Sequence, residues 1–168
     1  MDYLILSDTH RCPGKIKEVL ARQLTRPAGV FFLGDGISDA EEVLIGLPLF
    51  AVRGNCDGFL SPADTSPVEQ TVTVEGLRIL LMHGHLFGVK SGPGAAIAHA
   101  ARCNADILLF GHTHEPYSET LDAGESAGGV TLSRPLHVFN PGSLGYGDSF
   151  GVLTVRRGVP MLSFGTLK

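Results

Sequence analysis

Cysteine is scarce in this sequence, and the three that occur are not organised. Cys12, Cys56 and Cys103 are odd in number and widely spaced, so they offer no disulfide framework and are typical of a protein from a reducing compartment. The N-terminus also lacks a basic segment followed by an apolar core, so no secretory signal is expected. These absences favour a cytoplasmic protein.

A strong charge of one sign and long apolar runs are also lacking. The 13 basic and 17 acidic residues give a formal net charge of −4, which provides no general attraction to nucleic acid or to an anionic membrane. A phosphate substrate is not excluded, because bound divalent metal ions would reverse the local charge. The longest apolar runs have the length of a strand, so no membrane span is predicted. With 168 residues, 43% of them hydrophobic, the chain has the size and composition of one compact domain, residues 1–168.

What the sequence does contain is a series of short apolar segments that alternate with helical ones. Buried strands are predicted where apolar residues are continuous, at 3–6, 29–33, 49–52, 78–82 and 107–110. Helices are predicted at 13–24, after a cap at Ser38 or Asp39, and at 95–103. A loop is expected over 58–67, and mainly β-structure follows His114.

Each of these five apolar strands is followed by polar residues drawn from Asp, Asn and His. The clusters are Asp8 and His10, then Asp35, then Asn55 and Asp57, then His83 and His85, and last His112 and His114. Ligands of open α/β sheets bind outside the carboxyl ends of the strands, so we expect these clusters to meet at one edge. Residues two positions apart, such as His112 and His114, would project to the same side of an extended chain. Any one cluster could be a solvated loop, but five in succession favour a common site.

The types of side chain in these clusters indicate a metal centre. Carboxylate, imidazole and amide groups without organised cysteines suit Mn²⁺, Zn²⁺, Fe or Ni²⁺ better than they suit a thiolate zinc site. The candidates are too many for one ion and suit two ions that share a bridging carboxylate. Two ions about 3.5–4 Å apart stabilise an in-line displacement at phosphorus.

The same residues carry a family resemblance. The series Asp8-x-His10, Gly34-Asp35, Gly54-Asn55-x-Asp57, His83-Gly84-His85 and Gly111-His112-x-His114 resembles the motifs of the calcineurin-like metallophosphoesterases. The Gly-Asn-Cys-Asp run at 54–57 and the Asn-Pro-Gly-Ser run at 140–143 are similar to those of the small YfcE-type phosphodiesterases. The resemblance covers nearly the whole chain. It implies an α/β fold, a four-layer α/β/β/α sandwich of two mixed β-sheets with flanking helices.

The resemblance also implies how the ligands are shared between two divalent ions, for which Mn²⁺ is the first choice. Asp8, His10 and His114 would hold one ion, Asn55, His83 and His112 would hold the other, and Asp35 would bridge them.

Three further positions near the ligands bear on catalysis. Cys56 stands where many family members have a histidine that protonates the leaving group, and a thiol is a weak donor; it is either a reactive thiol or a small half-buried filler. Arg11 is expected either to reach a substrate phosphate or to be an ordinary surface residue. His85 is expected to contact substrate or orient a ligand, or else to be a solvated loop residue. The catalytic candidates are Asn55, Cys56, Asp57 and His85, and the substrate-binding candidates are Arg11 and His85.

The predicted function is hydrolysis of a small phosphodiester by attack of a metal-bridging hydroxide on phosphorus. A phosphomonoesterase or nucleotidase is an alternative that differs in the shape of the substrate. A non-catalytic protein-binding module is a second alternative, because the fold also resembles the scaffold subunit of the eukaryotic retromer. No membrane or nucleic-acid partner is expected, and a homo-oligomer is left open.

Overall fold

The computed structural model describes residues 1–58 and 66–168, so residues 59–65 of the expected loop lie outside the described residues. The strands are β1 Asp2–Leu6, β2 Gly29–Phe32, β3 Leu49–Ala51, β4 Glu69–Val74, β5 Leu77–Met82, β6 Ile107–Leu109, β7 Pro116–Leu121, β8 Ser126–Ala127, β9 Val130–Thr131, β10 Leu136–Pro141, β11 Ser149–Arg156 and β12 Val159–Thr166. The helices are α1 Pro13–Ala21, α2 Ile37–Val43, α3 Gly94–Arg102 and α4 Leu144–Gly147, with 3₁₀ turns at His85–Phe87 and Val89–Ser91. None of the described helices has the length and apolar character that a membrane crossing requires.

The strands form two mixed five-stranded sheets and a short two-stranded ribbon of β8 and β9. In the first sheet, ordered β12-β11-β1-β2-β3, the last three strands are parallel, β11 is antiparallel to β1, and β12 is antiparallel to β11. In the second, ordered β4-β5-β6-β10-β7, the three central strands are parallel and each edge strand is antiparallel. Each sheet therefore brings the carboxyl ends of three neighbouring strands together, where ligands are expected to bind.

The central strands are apolar on both faces because both faces are covered. Ile5, Phe31 and Leu109 point into a core between the two sheets. Their neighbours Leu4 and Leu108 point the other way, Leu4 into a cluster with α1 and α2, and Leu108 into a cluster with α3. This alternation explains why the sequence shows continuous apolar runs at these strands. The result is the four-layer α/β/β/α sandwich that the resemblance implied, and the predicted fold class is confirmed.

Two helix predictions were wrong in their limits. Helix α1 ends at Ala21, so Leu24, which was assigned to its apolar stripe, lies beyond the helix and is fully exposed. Helix α2 begins at Ile37, and Asp39 lies within its first turn instead of capping it. The Asp39 carboxylate accepts hydrogen bonds from Thr9 Oγ1 at 2.6 Å and from the Cys12 backbone N–H at 3.1 Å, which ties α2 to the loop after β1.

We predict that Gly151→Ala destabilises the protein, because Gly151 in β11 packs closely against Phe139 of the other sheet. A Cβ there would lie 2.5 Å from a ring carbon of Phe139 and 3.2 Å from the Cβ of Ile5. Overpacking of this kind lowers the free energy of unfolding by about 1–3 kcal/mol. A Cβ at Gly14 in α1 would have no other atom within 4 Å, so Gly14→Ala is the control and should be neutral or stabilising by roughly 0.5–1 kcal/mol. Urea unfolding followed by circular dichroism measures both changes, and equal effects of the two substitutions would contradict this view of the core.

Candidate metal centre

The predicted ligands converge at one end of the sandwich, and both sheets contribute to each group of ligands. The first sheet supplies Asp8 after β1 and Asp35 after β2, and the second supplies His83 after β5 and His114 after β6. His114 Nε2 lies 3.2 Å from Asp8 Oδ1, and His83 Nε2 lies 3.3 Å from Asp35 Oδ2. The expectation that these clusters lie close together is met.

The first ligand group contains Asp8, His10 and His114, whose ligand atoms lie within 4.8 Å of one another. His10 Nε2 and His114 Nε2 are 3.1 Å apart, and His10 Nε2 lies 3.6 Å from Asp8 Oδ1. Asp8 is fully buried; its Oδ2 accepts hydrogen bonds from Ser7 Oγ and the His112 N–H, but Oδ1 has no hydrogen-bond partner among the described residues. A buried carboxylate oxygen that faces two imidazole nitrogens is well suited to a metal cation.

The second ligand group contains Asp35, His83 and His112. His83 is fully buried, and its Nδ1 lies 2.7 Å from the Leu33 carbonyl oxygen. Because a carbonyl oxygen can only accept, Nδ1 carries the proton and Nε2 presents a lone pair in the neutral ring. That lone pair faces Asn55 Oδ1 at 3.1 Å, His112 Nδ1 at 3.1 Å and Asp35 Oδ2 at 3.3 Å. Such a concentration of acceptor atoms also fits a cation.

Asp35 connects the two groups. Its carboxylate lies with His83 and His112 in the second group and also lies within 4.8 Å of ligand atoms of His10 and Cys56. The Cys56 backbone N–H donates to Asp35 Oδ1 at 2.8 Å, which orients the carboxylate. A Cβ at Gly54 would lie 2.0 Å from the same oxygen, so only glycine leaves room for the carboxylate there.

The loops that carry the ligands are not extended. Asp8, His10, Asp35, His112 and His114 have φ values of 54°, 46°, 58°, 68° and 63°, in the left-handed region that residues with side chains seldom adopt. Consequently His112 points into the second group and His114 into the first, although only one residue separates them. The two histidines therefore do not project to the same side, as they would in an extended chain, and their division between the two groups is the one that the family resemblance implied.

The charges of the two groups are strongly coupled. Burial raises the pKa of Asp8, and the charge of His83 opposes this change only in part. Burial also works against ionisation of Asp35, but the hydrogen bond and charge of His83 hold the pKa of Asp35 far below its usual range. Burial would lower the pKa of His83, but its hydrogen bond to Asp35 and the charge of Asp8 raise it. Burial and the charge of His83 lower the pKa of His112 to about 4, so His112 is neutral and has a free lone pair at pH 7.

Asp57, predicted to be catalytic, is placed differently by the structure. The carboxylate is buried, and Oδ2 accepts hydrogen bonds from the N–H groups of Asp35 at 2.7 Å and Gly54 at 2.8 Å. Oδ1 accepts from the N–H groups of Gly36 at 2.8 Å and Ile37 at 3.1 Å. These four bonds occupy the four acceptor positions of a carboxylate. Asp57 therefore fixes the loops after β2 and β3 and is a positioning residue.

Two residues of the Asn-Pro-Gly-Ser run position the ligand loops, a role that the sequence did not reveal. Asn140 is fully buried, and its Nδ2 donates to the Gly111 carbonyl oxygen at 2.9 Å and to Thr113 Oγ1 at 3.0 Å. Ser143 Oγ donates to the Asp8 carbonyl oxygen at 2.8 Å. The recurrence of small polar residues after a sixth apolar strand was the available signal, but it did not specify these partners.

A cavity of about 470 Å³ opens beside the ligands, and Arg11, Ser38, Cys56 and Tyr146 are among the residues that line it. Cys56 is exposed there, so it is not a half-buried filler. Desolvation of the sulfur and its hydrogen bond to Asp35 raise the pKa of Cys56, so the thiol stays protonated at pH 7. Arg11 is exposed and forms no ion pair with a described residue, so its guanidinium can bind an anion.

His85 lies on the other flank of the second group. Its ring centroid is 5.4 Å from that of His83 and 6.1 Å from that of His112. Its Nδ1 is buried and has no hydrogen-bond partner among the described residues, and burial together with the charge of His83 lowers its pKa. His85 is therefore a neutral imidazole beside the centre, not a freely solvated loop residue.

Comparison with known proteins agrees with this geometry. Residues 1–158 match the model of the calcineurin-like phosphoesterase superfamily domain. The probable metallophosphoesterase YsnB of Bacillus subtilis is 27% identical over 169 residues, which cover 98% of this chain and 90% of YsnB. The phosphodiesterase YfcE of Escherichia coli K12 is 36% identical over 115 residues, which cover 62% of this chain and only 52% of YfcE.

A solved structure shares the fold over the full length. Wild-type Vps29 of Entamoeba histolytica in complex with zinc superposes with a TM-score of 0.67 at 18% identity, and the match covers 100% of each chain. Because the family model spans nearly the whole sequence and includes every predicted ligand, the chain belongs to the calcineurin-like phosphoesterase superfamily.

Proposed function

We propose that this protein is a binuclear metal-dependent phosphodiesterase that hydrolyses small phosphodiesters. The observation that carries the proposal is the junction of two ligand groups at Asp35, which places acceptor atoms for two cations side by side. Membership of a metallophosphoesterase family and similarity to a protein named as a phosphodiesterase support it. A cytoplasmic location and a possible homo-oligomer stay predictions from the sequence.

The residues of the two groups fit a pair of divalent ions. One ion would be held by Asp8, His10 and His114 and the other by Asn55, His83 and His112, with Asp35 between them. The unpartnered Oδ1 of Asp8 is the ligand atom that most requires a cation. Around Nε2 of His83, the acceptor atoms of Asn55, His112 and Asp35 lie within 3.3 Å. These oxygen and nitrogen ligands suit Mn²⁺, and they also accept Zn²⁺, Fe or Ni²⁺.

Metal ions bound there would supply Lewis acidity that activates water and neutralises charge on the phosphoryl oxygens. Asn55 directs its Oδ1 to His83, and its Nδ2 lies 3.5 Å from Sγ of Cys56, which lines the cavity, so Nδ2 can donate to a phosphoryl oxygen bound there. Arg11 can bind a second phosphoryl oxygen, because its guanidinium lines the cavity. His85 can steady the phosphate or orient His83.

The leaving group receives little help from a proton donor in this proposal. Cys56 lines the cavity where it could act, and its raised pKa makes the thiol a poor acid near neutral pH. Esters with stable leaving groups should therefore react faster than esters with alkyl leaving groups.

A metal-supplemented substrate screen tests the proposed function. With Mn²⁺, we expect turnover of bis(p-nitrophenyl) phosphate that exceeds turnover of p-nitrophenyl phosphate. The reverse preference would make the protein a phosphomonoesterase. Full metal loading without turnover of diesters, monoesters or cyclic nucleotides would point to a binding module; the likeness to Vps29, at 18% identity, shows the fold alone and does not favour that outcome.

The metal content of the protein tests whether both ligand groups bind an ion. Protein saturated with Mn²⁺ should contain two ions per chain by elemental analysis after removal of free metal. Asp8→Ala should lower the content towards one, because it removes the buried carboxylate of one group alone. His137→Ala is the control, since His137 bonds to Thr120 at 3.0 Å and lies outside both groups. One ion or fewer in the saturated wild-type protein would remove the basis of the proposal.

Substitution of Asp35 tests whether its carboxylate is shared by the two ligand groups. Loss of a residue that merely orients a ligand costs about 10–100-fold in metal affinity or activity, so loss of a shared ligand should cost more. Asp35→Ala should abolish turnover and lower the affinity of the protein for both ions. An activity assay and a metal titration measure the two effects. Its circular dichroism spectrum should match the wild type, because the side chain lies at a strand end and outside the apolar clusters. Near-normal turnover would show that Asp35 is not shared.

Substitution of Cys56 tests whether the leaving group lacks an efficient proton donor. Cys56→His introduces an imidazole that can donate a proton near neutral pH, and a well-placed general acid contributes about 10²–10⁴-fold. We expect a much smaller gain, greater for poor leaving groups than for aryl diesters, and no such gain for the control Cys56→Ser. The measurement is the slope of log rate against leaving-group pKa. Identical slopes in Cys56→His and the wild type would place leaving-group protonation elsewhere.

A further inference from the structure

Tyr146 stands beside the metal centre, and none of the roles above uses it. The residue is 69% exposed, although it is one of the largest side chains at the site. Its ring lies against two proposed ligands, with centroid distances of 4.8 Å to His10 and 5.4 Å to His114 and interplanar angles of 35° and 39°. The ring is therefore held against the imidazoles and is still largely open to the solvent.

The backbone under this ring is firmly anchored. The Tyr146 N–H donates to Ser143 Oγ at 3.0 Å, and Ser143 Oγ in turn donates to the Asp8 carbonyl oxygen at 2.8 Å. The Gly145 N–H donates to the same carbonyl oxygen at 3.0 Å, and Lys15 Nζ donates to the Gly145 carbonyl oxygen at 2.6 Å. An aromatic ring fixed in this way can bind a ligand at a small cost in conformational entropy.

The surroundings of the ring indicate what it can bind. Tyr146 lines the 470 Å³ cavity together with Arg11, Ser38 and Cys56. Among the described lining residues, it is the one aromatic side chain that is not a proposed metal ligand. The Tyr146 hydroxyl has no hydrogen-bond partner among the described residues, so a hydrogen bond of the hydroxyl does not account for the position of the ring. An open aromatic face in a cavity next to a cationic side chain suits a ligand with a planar ring and an anionic group.

We propose that Tyr146 is a specificity-determining residue that stacks on a planar aromatic ring carried by the ester group of the substrate phosphate. The inference rests on the proposed phosphoesterase function and narrows its substrate class to aryl or nucleoside esters. Arg11, on the same cavity, binds the phosphate while the ring binds the ester group. Stacking of a base on an aromatic side chain changes affinity by roughly 5- to 150-fold, and we expect about tenfold here because the ring is open on one side.

Binding of unreactive analogues to the Mn²⁺-loaded protein tests this without turnover. Isothermal titration calorimetry should give a dissociation constant for phenylphosphonate about tenfold lower than that for methylphosphonate. The 5′-phosphonate analogue of adenosine monophosphate tests whether a nucleobase is accepted. If this analogue binds more tightly than phenylphosphonate, the substrate is assigned as a nucleoside ester. If it binds more weakly, the substrate is assigned as an aryl ester.

Three variants separate stacking from support of the metal centre. Tyr146→Phe should keep the preference for phenylphosphonate, Tyr146→Leu should reduce it, and Tyr146→Ala should abolish it with little change for methylphosphonate. All three should retain the wild-type Mn²⁺ content by elemental analysis. Equal loss of affinity for both phosphonates in Tyr146→Ala, or loss of metal, would mean that Tyr146 only supports His10 and His114 and would overturn the proposal.

The wild type also separates this inference from the proposed function. Phosphodiester turnover without a preference for phenylphosphonate would overturn the role of Tyr146 and leave the enzyme assignment intact. If the protein shows a Tyr146-dependent preference for phenylphosphonate but hydrolyses no phosphodiester, the stacking of planar rings on Tyr146 would be supported and the phosphodiesterase assignment overturned.

Discussion

The contact between Asp35 and His83 is the one on which the site depends. It joins the loop after β2 in one sheet to the end of β5 in the other, with Nε2 and Oδ2 3.3 Å apart, and both side chains are buried. The two groups stabilise each other's charge, since each moves the pKa of the other towards the ionised form. Burial of such groups is costly unless they are paired or bind a metal, so packing of the two sheets and assembly of the site are coupled.

The neighbouring backbone shows what this arrangement requires. Several ligands lie in the left-handed region, where each residue with a side chain costs about 1–3 kcal/mol, and such strain is characteristic of functional sites. The loops are held in place by groups that do not face a ligand: the Asp57 carboxylate on four backbone N–H groups and the buried amide of Asn140. These groups let a rigid sandwich hold the ligand atoms close together.

The family resemblance was sufficient to predict the fold class, and the pattern of apolar runs was sufficient to predict which residues meet. Continuous apolar runs mark strands that are covered on both faces, and the polar residue after each run must lie at a carboxyl end. Backbone conformation after the strand was not predictable in this way, so the left-handed turns that separate His112 from His114 were not foreseen, although the family resemblance had assigned the two histidines to different ions. The role of Asp57 was missed because its partners are backbone N–H groups, which leave no pattern of side chains. Tyr146 was missed because it is placed by α4, a four-residue helix without an apolar pattern of its own.

The central claim is that Asp35 lies between two metal ions, and anomalous diffraction from crystals of the Mn²⁺-loaded protein tests it most directly. We expect two strong anomalous peaks per chain, about 3.5–4 Å apart, with one oxygen or both oxygens of Asp35 bound to the two ions. One peak, or two peaks too far apart for a carboxylate to span, would contradict it.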